Sequence, residues 1–342
     1  MNALQPITII GGGLAGLSLG IALRRAGVPT HVVEAGDYPR HRVCGEFITG
    51  LENATINKLE IGPALAGAGC HRSVTFFWHG RAVGRQTLPS PARAISRYAL
   101  DARLAELFTA AGGELSIRTR YTSPIFAPGW VQTCGRKRVA ASPWMGLKLH
   151  ARNLAMTDGL ELHLGDGAYV GLSSVENGWI NVCGLFRRRP GRPFDRDHAL
   201  PACLRASGLH QLAERLAAAE IRPGSRSAVA GFSFDRRVAK DDGVRLGDAC
   251  AMIPPFTGNG MAMAFTSAAL AVDPLVAWAR GERPWQETAR RIRVALAREF
   301  KLRLTSAACL HPFLLARGWQ RCLGTAARAG LFPFRPIYQL LH

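Results

Sequence analysis

Three glycines near the start of the chain have the spacing of a nucleotide-binding turn. Gly11, Gly13 and Gly16 form the pattern G-x-G-x-x-G directly after an apolar run at residues 7–10. In such a turn the first glycine permits a tight bend, the second lets the backbone approach a pyrophosphate, and the third lets helix and strand pack closely. The following helix directs its N-terminus at the phosphates. This spacing predicts a dinucleotide site.

The segments around the glycines are those that such a site needs. The β-branched run before them favours a buried strand, residues 14–26 have the pattern of a helix, and residues 31–33 favour a second strand. That strand ends on Glu34, about twenty residues beyond the glycines, where a carboxylate can hold a ribose hydroxyl. Strand, glycine turn, helix, strand and terminal acid together make the interpretation specific.

A second motif, at residues 245–265, points to the same kind of ligand. A short strand ends at Gly247-Asp248, and a loop containing Pro255, Gly258 and Gly260 leads into a helix rich in Ala and Met. The glycines allow backbone close to a ligand, and the positive end of the helix would face it. Asp248 is placed to hydrogen-bond a ribityl or ribose hydroxyl. Alone this is an ordinary strand-turn-helix, but paired with the first motif it is typical of a flavin site.

With both motifs present, the chain resembles the flavoprotein superfamily that contains p-hydroxybenzoate hydroxylase, the flavin-dependent halogenases and the geranylgeranyl reductases. The resemblance extends to about residue 280 and includes Arg97 at the start of a second clear helix. It implies an α/β fold: a Rossmann-like FAD-binding domain, an inserted antiparallel β-sheet substrate domain above the flavin, and a helical C-terminal segment. The residues expected to contact FAD are Gly11, Gly13, Leu14, Ala15, Gly16, Glu34, Arg42, Cys44, Gly45, Arg97, Asp248, Pro255, Gly258, Gly260 and Met261.

A change of hydrophobic period suggests where the domains meet. Beyond about residue 141, apolar and polar residues alternate, as at 147–150 and 160–164, and Glu176–Gly178 reads as a hairpin turn. The predicted divisions are an FAD-binding domain at 1–70, 96–140 and 236–280, a substrate domain at 71–95 and 141–235, and a basic helical segment at 281–342. His150, His163 and Tyr169 lie on strands that could roof the flavin, and we expect each of them to pack rather than catalyse.

The segment Cys44-Gly45-Glu46 bears on the reaction type. It resembles the C-G-[GD] segment of geranylgeranyl reductases, in which the cysteine lies near the flavin and assists alkene reduction. Cys44 is therefore the candidate catalytic residue, with a purely structural cysteine as the other interpretation. Glu46 departs from the reductase pattern, and the chain is short for a pocket that must hold a long prenyl tail. Both points favour a monooxygenase.

Two other family features are missing. The halogenase motif W-x-W-x-I-P is absent, and no lysine lies between Leu59 and Gln132, where halogenases place their catalytic one. Halogenation is therefore not expected. The Asp-Gly motif of hydroxylases that use NAD(P)H is also not evident at residues 133–136. We expect electrons either from NAD(P)H directly or as reduced flavin from a partner flavin reductase.

The overall composition adds information about partners and compartment. The 342 residues include 43 Lys and Arg against 24 Asp and Glu, a net charge of +19, so the surface attracts anions. The eight cysteines contain no C-x-x-C pair, which argues against a zinc site or a disulfide framework. Together with the lack of a recognisable secretion signal, this favours the cytoplasm, and no metal is expected.

The C-terminal segment 281–342 combines many arginines with large apolar residues. Basic amphipathic helices of this composition can lie on anionic membranes, so peripheral contact with the inner face of the membrane is one expectation. The other is a closing helical cap whose apolar side faces inward.

These features together predict an FAD-dependent monooxygenase that hydroxylates or epoxidises a hydrophobic substrate through a flavin hydroperoxide. The substrate would be a polyketide-derived aromatic or lipid-like small molecule of secondary metabolism. The first alternative is an ene reductase acting on an isoprenoid or polyene. The second is a non-catalytic basic binding protein with a relic flavin fold. Because both flavin loops are intact, no specific nucleic acid is expected.

Overall fold

The computed structural model describes residues 4–122, 127–136, 139–188, 198–235, 237–239 and 243–342. These residues form fourteen strands and nine α-helices. The strands are β1 (Ile7–Ile10), β2 (Thr30–Val33), β3 (Phe47–Ile48), β4 (Gly69–Trp78), β5 (Arg81–Ala94), β6 (Glu114–Ser116), β7 (Trp130–Gln132), β8 (Trp144–Arg152), β9 (Leu160–Gly165), β10 (Ala168–Ser174), β11 (Ile180–Arg187), β12 (Glu220–Ile221), β13 (Ser227–Phe232) and β14 (Val244–Arg245). The helices are α1 (Leu14–Arg25), α2 (Asn53–Leu59), α3 (Arg97–Ala110), α4 (Ala199–Ala206), α5 (His210–Ala217), α6 (Gly260–Ala279), α7 (Trp285–Leu315), α8 (Arg317–Arg328) and α9 (Phe334–Leu341).

The first sheet is parallel and carries the glycine turn at its centre. Its order is β14-β7-β1-β2-β6, and every neighbouring pair runs in the same direction. Helix α1 is buried along most of its length and packs against α3 and α6. Because both sides of such a sheet are covered at its centre, β1 and β2 are short and largely apolar runs rather than alternating ones. This is the expected Rossmann-like unit.

The second sheet is larger and lies over the carboxyl edge of the first. Its order is β12-β8-β11-β10-β9-β4-β5-β3, with β13 also paired to β8. The pairs are antiparallel except β4 with β9, so the sheet is mixed rather than wholly antiparallel. In this parallel pair Val74 lies opposite Leu160 and Trp78 opposite Leu164. Helices α4 and α5 cover the far face.

The sequence pattern predicts one helix over residues 51–68 and one over residues 200–220, and the structure differs at both and adds a strand that was not predicted. The stretch 51–68 is not one helix, because α2 ends at Leu59 and a 3-10 turn follows at Gly62–Leu65. Residues 200–220 form two helices instead of one, divided at Gly208, whose φ of +75° ends α4. Strand β5 gave no clear signal because it contains two prolines, and the pairing with β4 is interrupted at that point.

The C-terminal helices close the molecule. Along α7 an inner row that includes Ile292, Phe300 and Leu304 is buried in the same core as α6. At the end of the chain, His342 Nε2 lies 2.7 Å from Thr49 Oγ1 and ties α9 to the first part of the chain. Helix α6 is long and apolar enough to cross a membrane, but 67% of that stretch is buried inside the protein.

Candidate functional site

A cavity of about 630 Å³ lies between the two sheets. The glycine turn after β1, Glu34 and the loop after β2 form the wall at one end, which we call the nucleotide end. The facing side of the second sheet and the loop 252–258 form the wall at the other end, which we call the aromatic end. Every residue expected to contact FAD lines this cavity except Gly16. The structure thus brings the two sequence motifs together on one site.

Each of the three glycines of the turn has a different structural role. Gly11 has φ of +110°, and a Cβ there would lie 2.6 Å from the backbone of Cys134. A Cβ on Gly16 would lie 2.0 Å from the carbonyl oxygen of Gly11, so this glycine allows the turn to pack on α1 and does not itself face the cavity. At Gly13, a Cβ would meet nothing within 4 Å. Gly13 also precedes α1 without any side-chain cap, so the helix N-terminus is available to an anion.

The carboxylate of Glu34 holds the turn in place. Oε2 accepts a hydrogen bond from the amide of Gly12 at 2.7 Å, and Oε1 accepts from Gly36 N at 2.9 Å and Arg40 at 2.6 Å. Burial would raise the pKa of Glu34, but these amide bonds and the neighbouring arginines lower it below its usual value. The ionised carboxylate of Glu34 therefore lies at the nucleotide end, where it also fixes the shape of the loop after β2.

Two arginines share one buried carboxylate beside this end. Arg97 Nε and Nη2 donate to Asp101 at 2.7 and 2.8 Å, while Arg42 Nε lies 2.9 Å from the same carboxylate. Asp101 is fully buried. Arg42 Nη2 also lies 3.6 Å from Glu34, so this guanidinium faces two carboxylates although neither atom is in hydrogen-bond geometry. Both arginines line the cavity, and a pyrophosphate lying along it would meet their positive charge.

The second motif contributes an unpaired acid. The side chain of Asp248 is exposed to the cavity, and in the described part of the chain no group hydrogen-bonds to it. Desolvation by the protein around the cavity raises the pKa of its carboxyl. Gly258 has φ of +68°, and a Cβ there would lie 2.2 Å from the Phe47 ring. The free carboxyl of Asp248, the clear space at Gly13 and the positive charge of Arg42 together fit a bound FAD.

Cys44 lines the cavity next to a second cysteine that the sequence did not single out, Cys183 on β11. Burial raises the pKa of both thiols, so they are neutral at ordinary pH. Asn181 Nδ2 donates to the carbonyl oxygens of Cys44 and Gly45 at 3.0 and 2.9 Å, and this fixes the segment against the sheet. No sequence spacing links residue 44 to residue 183, because strand register alone brings them together.

Behind Cys44 lies a buried charged cluster that sequence reasoning missed. Glu46 is fully buried and accepts from Lys148 Nζ at 2.9 Å, while His150 Nε2 lies 2.6 Å from its other oxygen. Burial would raise the pKa of Glu46, but His150 and Lys148 lower it. Glu46 also has φ of +57°, a conformation that suits the Gly or Asp of the reductase pattern better than a glutamate.

The three side chains on roofing strands have different positions. Tyr169 faces the cavity. His150 lies on the same side of the sheet but is covered by Glu46, so it does not reach the cavity. His163 points to the far face, 2.8 Å from Glu161. The alternation of β9 explains this, because Leu162 and Leu164 occupy the near face.

An aromatic cluster borders the other end of the cavity. Its members are Trp144, Tyr169, Phe232, Phe234, Phe256 and His311. Tyr169, Phe232 and Phe256 also line the cavity itself. These residues come from strands, a loop and α7, and the sequence carries no motif for the group.

Comparisons with known proteins agree with this fold. Residues 5–46 match the family model of an FAD binding domain. No curated protein sequence matches the chain. HpxO from Klebsiella pneumoniae, solved with FAD and uric acid, is 17% identical with a TM-score of 0.76, over 98% of this chain and 96% of that one.

Two further solved structures have the same fold. PqsL from P. aeruginosa, solved with 2-aminobenzoylacetate, is 16% identical with a TM-score of 0.73, over 97% of this chain and 100% of that one. The flavin-dependent brominase Bmp2 is 16% identical with a TM-score of 0.73, over 99% and 93%. The chain thus has the fold of the FAD-dependent monooxygenases and halogenases, and the resemblance inferred from its motifs is confirmed.

Proposed function

We propose that the protein is an FAD-dependent monooxygenase acting on a hydrophobic aromatic or lipid-like small molecule of secondary metabolism. The observation that carries this proposal is the continuity of the cavity, which runs from an anion-binding turn to an apolar wall that includes Leu162, Leu185 and Phe256. A flavin held along the first part would present its reactive ring system to a substrate against the second. When bound, FAD supplies the redox chemistry and the activation of oxygen.

The residues of the chain would bind the cofactor and position the substrate. The amides at the start of α1 and the donors of Arg42 would hold the pyrophosphate, and Asp248 would accept from a ribityl hydroxyl. The apolar wall would exclude water from the reacting centre. In the overall reaction, substrate, O₂, NAD(P)H and a proton would give the hydroxylated product, NAD(P)⁺ and water.

The most direct test uses the FAD-loaded protein with isotopically labelled oxygen. Neutral phenols and long-chain alkenes would be offered with NADPH, with and without a separate flavin reductase. Product carrying one labelled oxygen, and no product without oxygen, would support the proposal. Turnover that continues anaerobically and adds two hydrogens would contradict it. The two arms with and without the reductase also identify the electron donor.

The ene reductase remains a second candidate because Cys44 lines the cavity as a neutral thiol. Reduction of a double bond needs a hydride and a proton, and a protonated thiol beside the substrate can supply the proton. Halogenation has less support. No lysine of the described residues lines the cavity, and Lys148 is fully buried in the Glu46 cluster.

We also propose peripheral contact with an anionic membrane through the C-terminal segment. Val294, Leu302, Phe313, Trp319, Leu331 and Leu340 are exposed there, and the rings of Phe313 and Trp319 touch at a centroid distance of 4.6 Å. From residue 300 to the end, the sequence contains Lys301 and five arginines but no acidic residue. Aromatic side chains beside basic ones suit the headgroup region of an anionic bilayer.

Point variants test this contact better than truncation, because α7 also supplies Phe300 and Leu304 to the core. Phe313→Ser with Trp319→Ser should reduce co-sedimentation with phosphatidylglycerol vesicles, and added salt should reduce binding of the unmodified protein. Ile117→Ser, at an exposed apolar residue elsewhere, is the matched control. Equal binding to neutral phosphatidylcholine vesicles, or none to either, would show that the segment serves only as a cap.

A further inference from the structure

A second space in the molecule is a groove on the surface between α6 and the first half of α7. Its volume is about 640 Å³, which is in the range of small-molecule sites. Leu270 of α6 and two adjacent rows of α7 side chains line it. None of the residues that line this groove also lines the cavity between the two sheets. The groove is therefore a separate feature from the flavin site.

The first row of α7 presents two arginines and a valine to the groove. Arg290, Val294 and Arg298 follow one another at intervals of four residues, so they lie on the same side of the helix. The two arginines are about 12 Å apart along the helix axis. Val294 lies between them and is 59% exposed. Because arginine side chains are long, both guanidinium groups can reach an anion that lies over this valine.

The positive charge of the groove is not balanced within the protein. The second row contributes Arg291 and Glu299, and Glu299 already forms an ion pair with Arg303 at 2.9 Å. Among the described residues, only Arg291 of the three groove arginines has an acidic partner, at 2.8 Å. Arg290 and Arg298 have no ion pair or hydrogen bond in that part of the chain. A bound anion would lower the repulsion between these guanidinium groups, which bind phosphate through paired hydrogen bonds.

We propose that this groove binds a phosphate group carried on an apolar chain. The arginines supply the counter-charge for the phosphate, and Leu270 and Val294 supply apolar surface for the chain. The site goes beyond the proposed monooxygenase, because no residue of the flavin cavity takes part in it. It does not require the proposed membrane contact either, since a soluble molecule can occupy it. A membrane lipid with a phosphate headgroup and a soluble alkyl phosphate share this chemistry.

Calorimetric titration of the FAD-loaded protein with decyl phosphate, 1-decanol and inorganic phosphate tests the groove without turnover. Decyl phosphate should bind about tenfold more tightly than either of the others, because only this probe meets both the charge and the apolar surface. Arg290→Gln with Arg298→Gln should weaken the binding of decyl phosphate about tenfold and leave 1-decanol unchanged. The control is Arg81→Gln with Arg205→Gln, which removes two exposed arginines from β5 and α4 and should bind as the unmodified protein does.

Phosphatidylglycerol vesicles identify the source of the phosphate. If a lipid headgroup occupies the groove, the groove variant should also co-sediment less with these vesicles than the control variant does. If only decyl phosphate distinguishes the two variants, the occupant is a soluble molecule.

Two results would overturn the proposal. One is equal binding of decyl phosphate by the groove variant and the control variant, as expected for an alkyl phosphate that enters the flavin cavity instead. The other is binding of decyl phosphate no tighter than that of 1-decanol. A protein that shows the expected binding but inserts no oxygen would retain the groove site and lose the monooxygenase assignment, so the two failures are distinguishable.

Discussion

At the nucleotide end of the cavity the backbone forms the binding surface, whereas at the aromatic end side chains form it. Gly11, Gly13 and the first turn of α1 bring main-chain amides to the cavity, and a Cβ at Gly13 would point into open space. At the other end, the rings of Tyr169, Phe232 and Phe256 line the cavity. A backbone site tolerates almost no added atom, while a side-chain site can change its ligand by single substitutions. This difference explains how one flavin fold can serve many substrates.

The largest expected effect is at the nucleotide end. Gly13→Val places a side chain where the pyrophosphate must approach, and we expect it to abolish FAD binding. The purified unmodified protein should be yellow and should release FAD, not FMN, on denaturation. Gly318→Val is the matched control, because a Cβ at Gly318 also meets nothing within 4 Å but lies on α8, outside the cavity. An unmodified protein that is colourless and cannot be reconstituted with FAD would contradict the assignment of this end.

A smaller effect is expected at Asp248, where a side chain rather than the backbone would contact the flavin. Asp248→Ala removes a charge-assisted hydrogen bond and should weaken FAD binding by about 1.5–3 kcal/mol. Titration of the apoprotein with FAD would measure this change. Asp273→Ala, on the outer side of α6, is the control and should leave the affinity unchanged. Equal affinity in Asp248→Ala would mean that the second motif only shapes the loop.

The aromatic end should show its own dependence on pH. Since burial lowers the pKa of His311 from its usual 6.5 to about 4, the unfolded chain binds more protons than the folded one between these values. This histidine therefore reduces the stability of the fold progressively as the pH falls from about 6.5 to about 4. Between pH 7 and pH 5, His311→Phe should lose about 1–2 kcal/mol less free energy of unfolding than the unmodified protein. Denaturant titrations at both pH values would measure this difference. Equal losses of unfolding free energy in the two proteins between pH 7 and pH 5 would contradict the burial of His311.

The smallest effect is expected at Cys44, which lies between the two ends. In a monooxygenase Cys44→Ser should leave product formation within a few-fold, because the cofactor carries the chemistry. In an ene reductase the loss of a proton donor should reduce turnover by about 10²–10⁴. Steady-state rates of Cys44→Ser against Cys309→Ser, an exposed cysteine on α7, would separate the two reactions. A large loss of turnover in Cys44→Ser, with no such loss in Cys309→Ser, would favour the reductase.

The sequence alone was sufficient to predict the class of fold and to select residues that the structure brings to one cavity. Gly11, Gly13 and Gly16 could be interpreted because a tight turn, a close approach and helix packing are local requirements that few other residues meet. The same holds for Asp248 and the loop glycines, which follow one short strand. The change of hydrophobic period predicted a second sheet after the parallel one, but it predicted an antiparallel sheet and did not reveal the parallel pairing of β4 with β9. The domain boundaries drawn from that change stay a prediction.

The tertiary structure decided what lies around these motifs. Glu46 meets Lys148 and His150 across about a hundred residues, and Cys44 comes to lie beside Cys183, only because strand register and sheet order place them together. The aromatic cluster likewise joins residues from 144 to 311. A local motif limits its own backbone and is therefore visible in sequence. A side-chain site assembled from distant segments depends on the register of every strand between them, so it becomes visible only when the chain is folded.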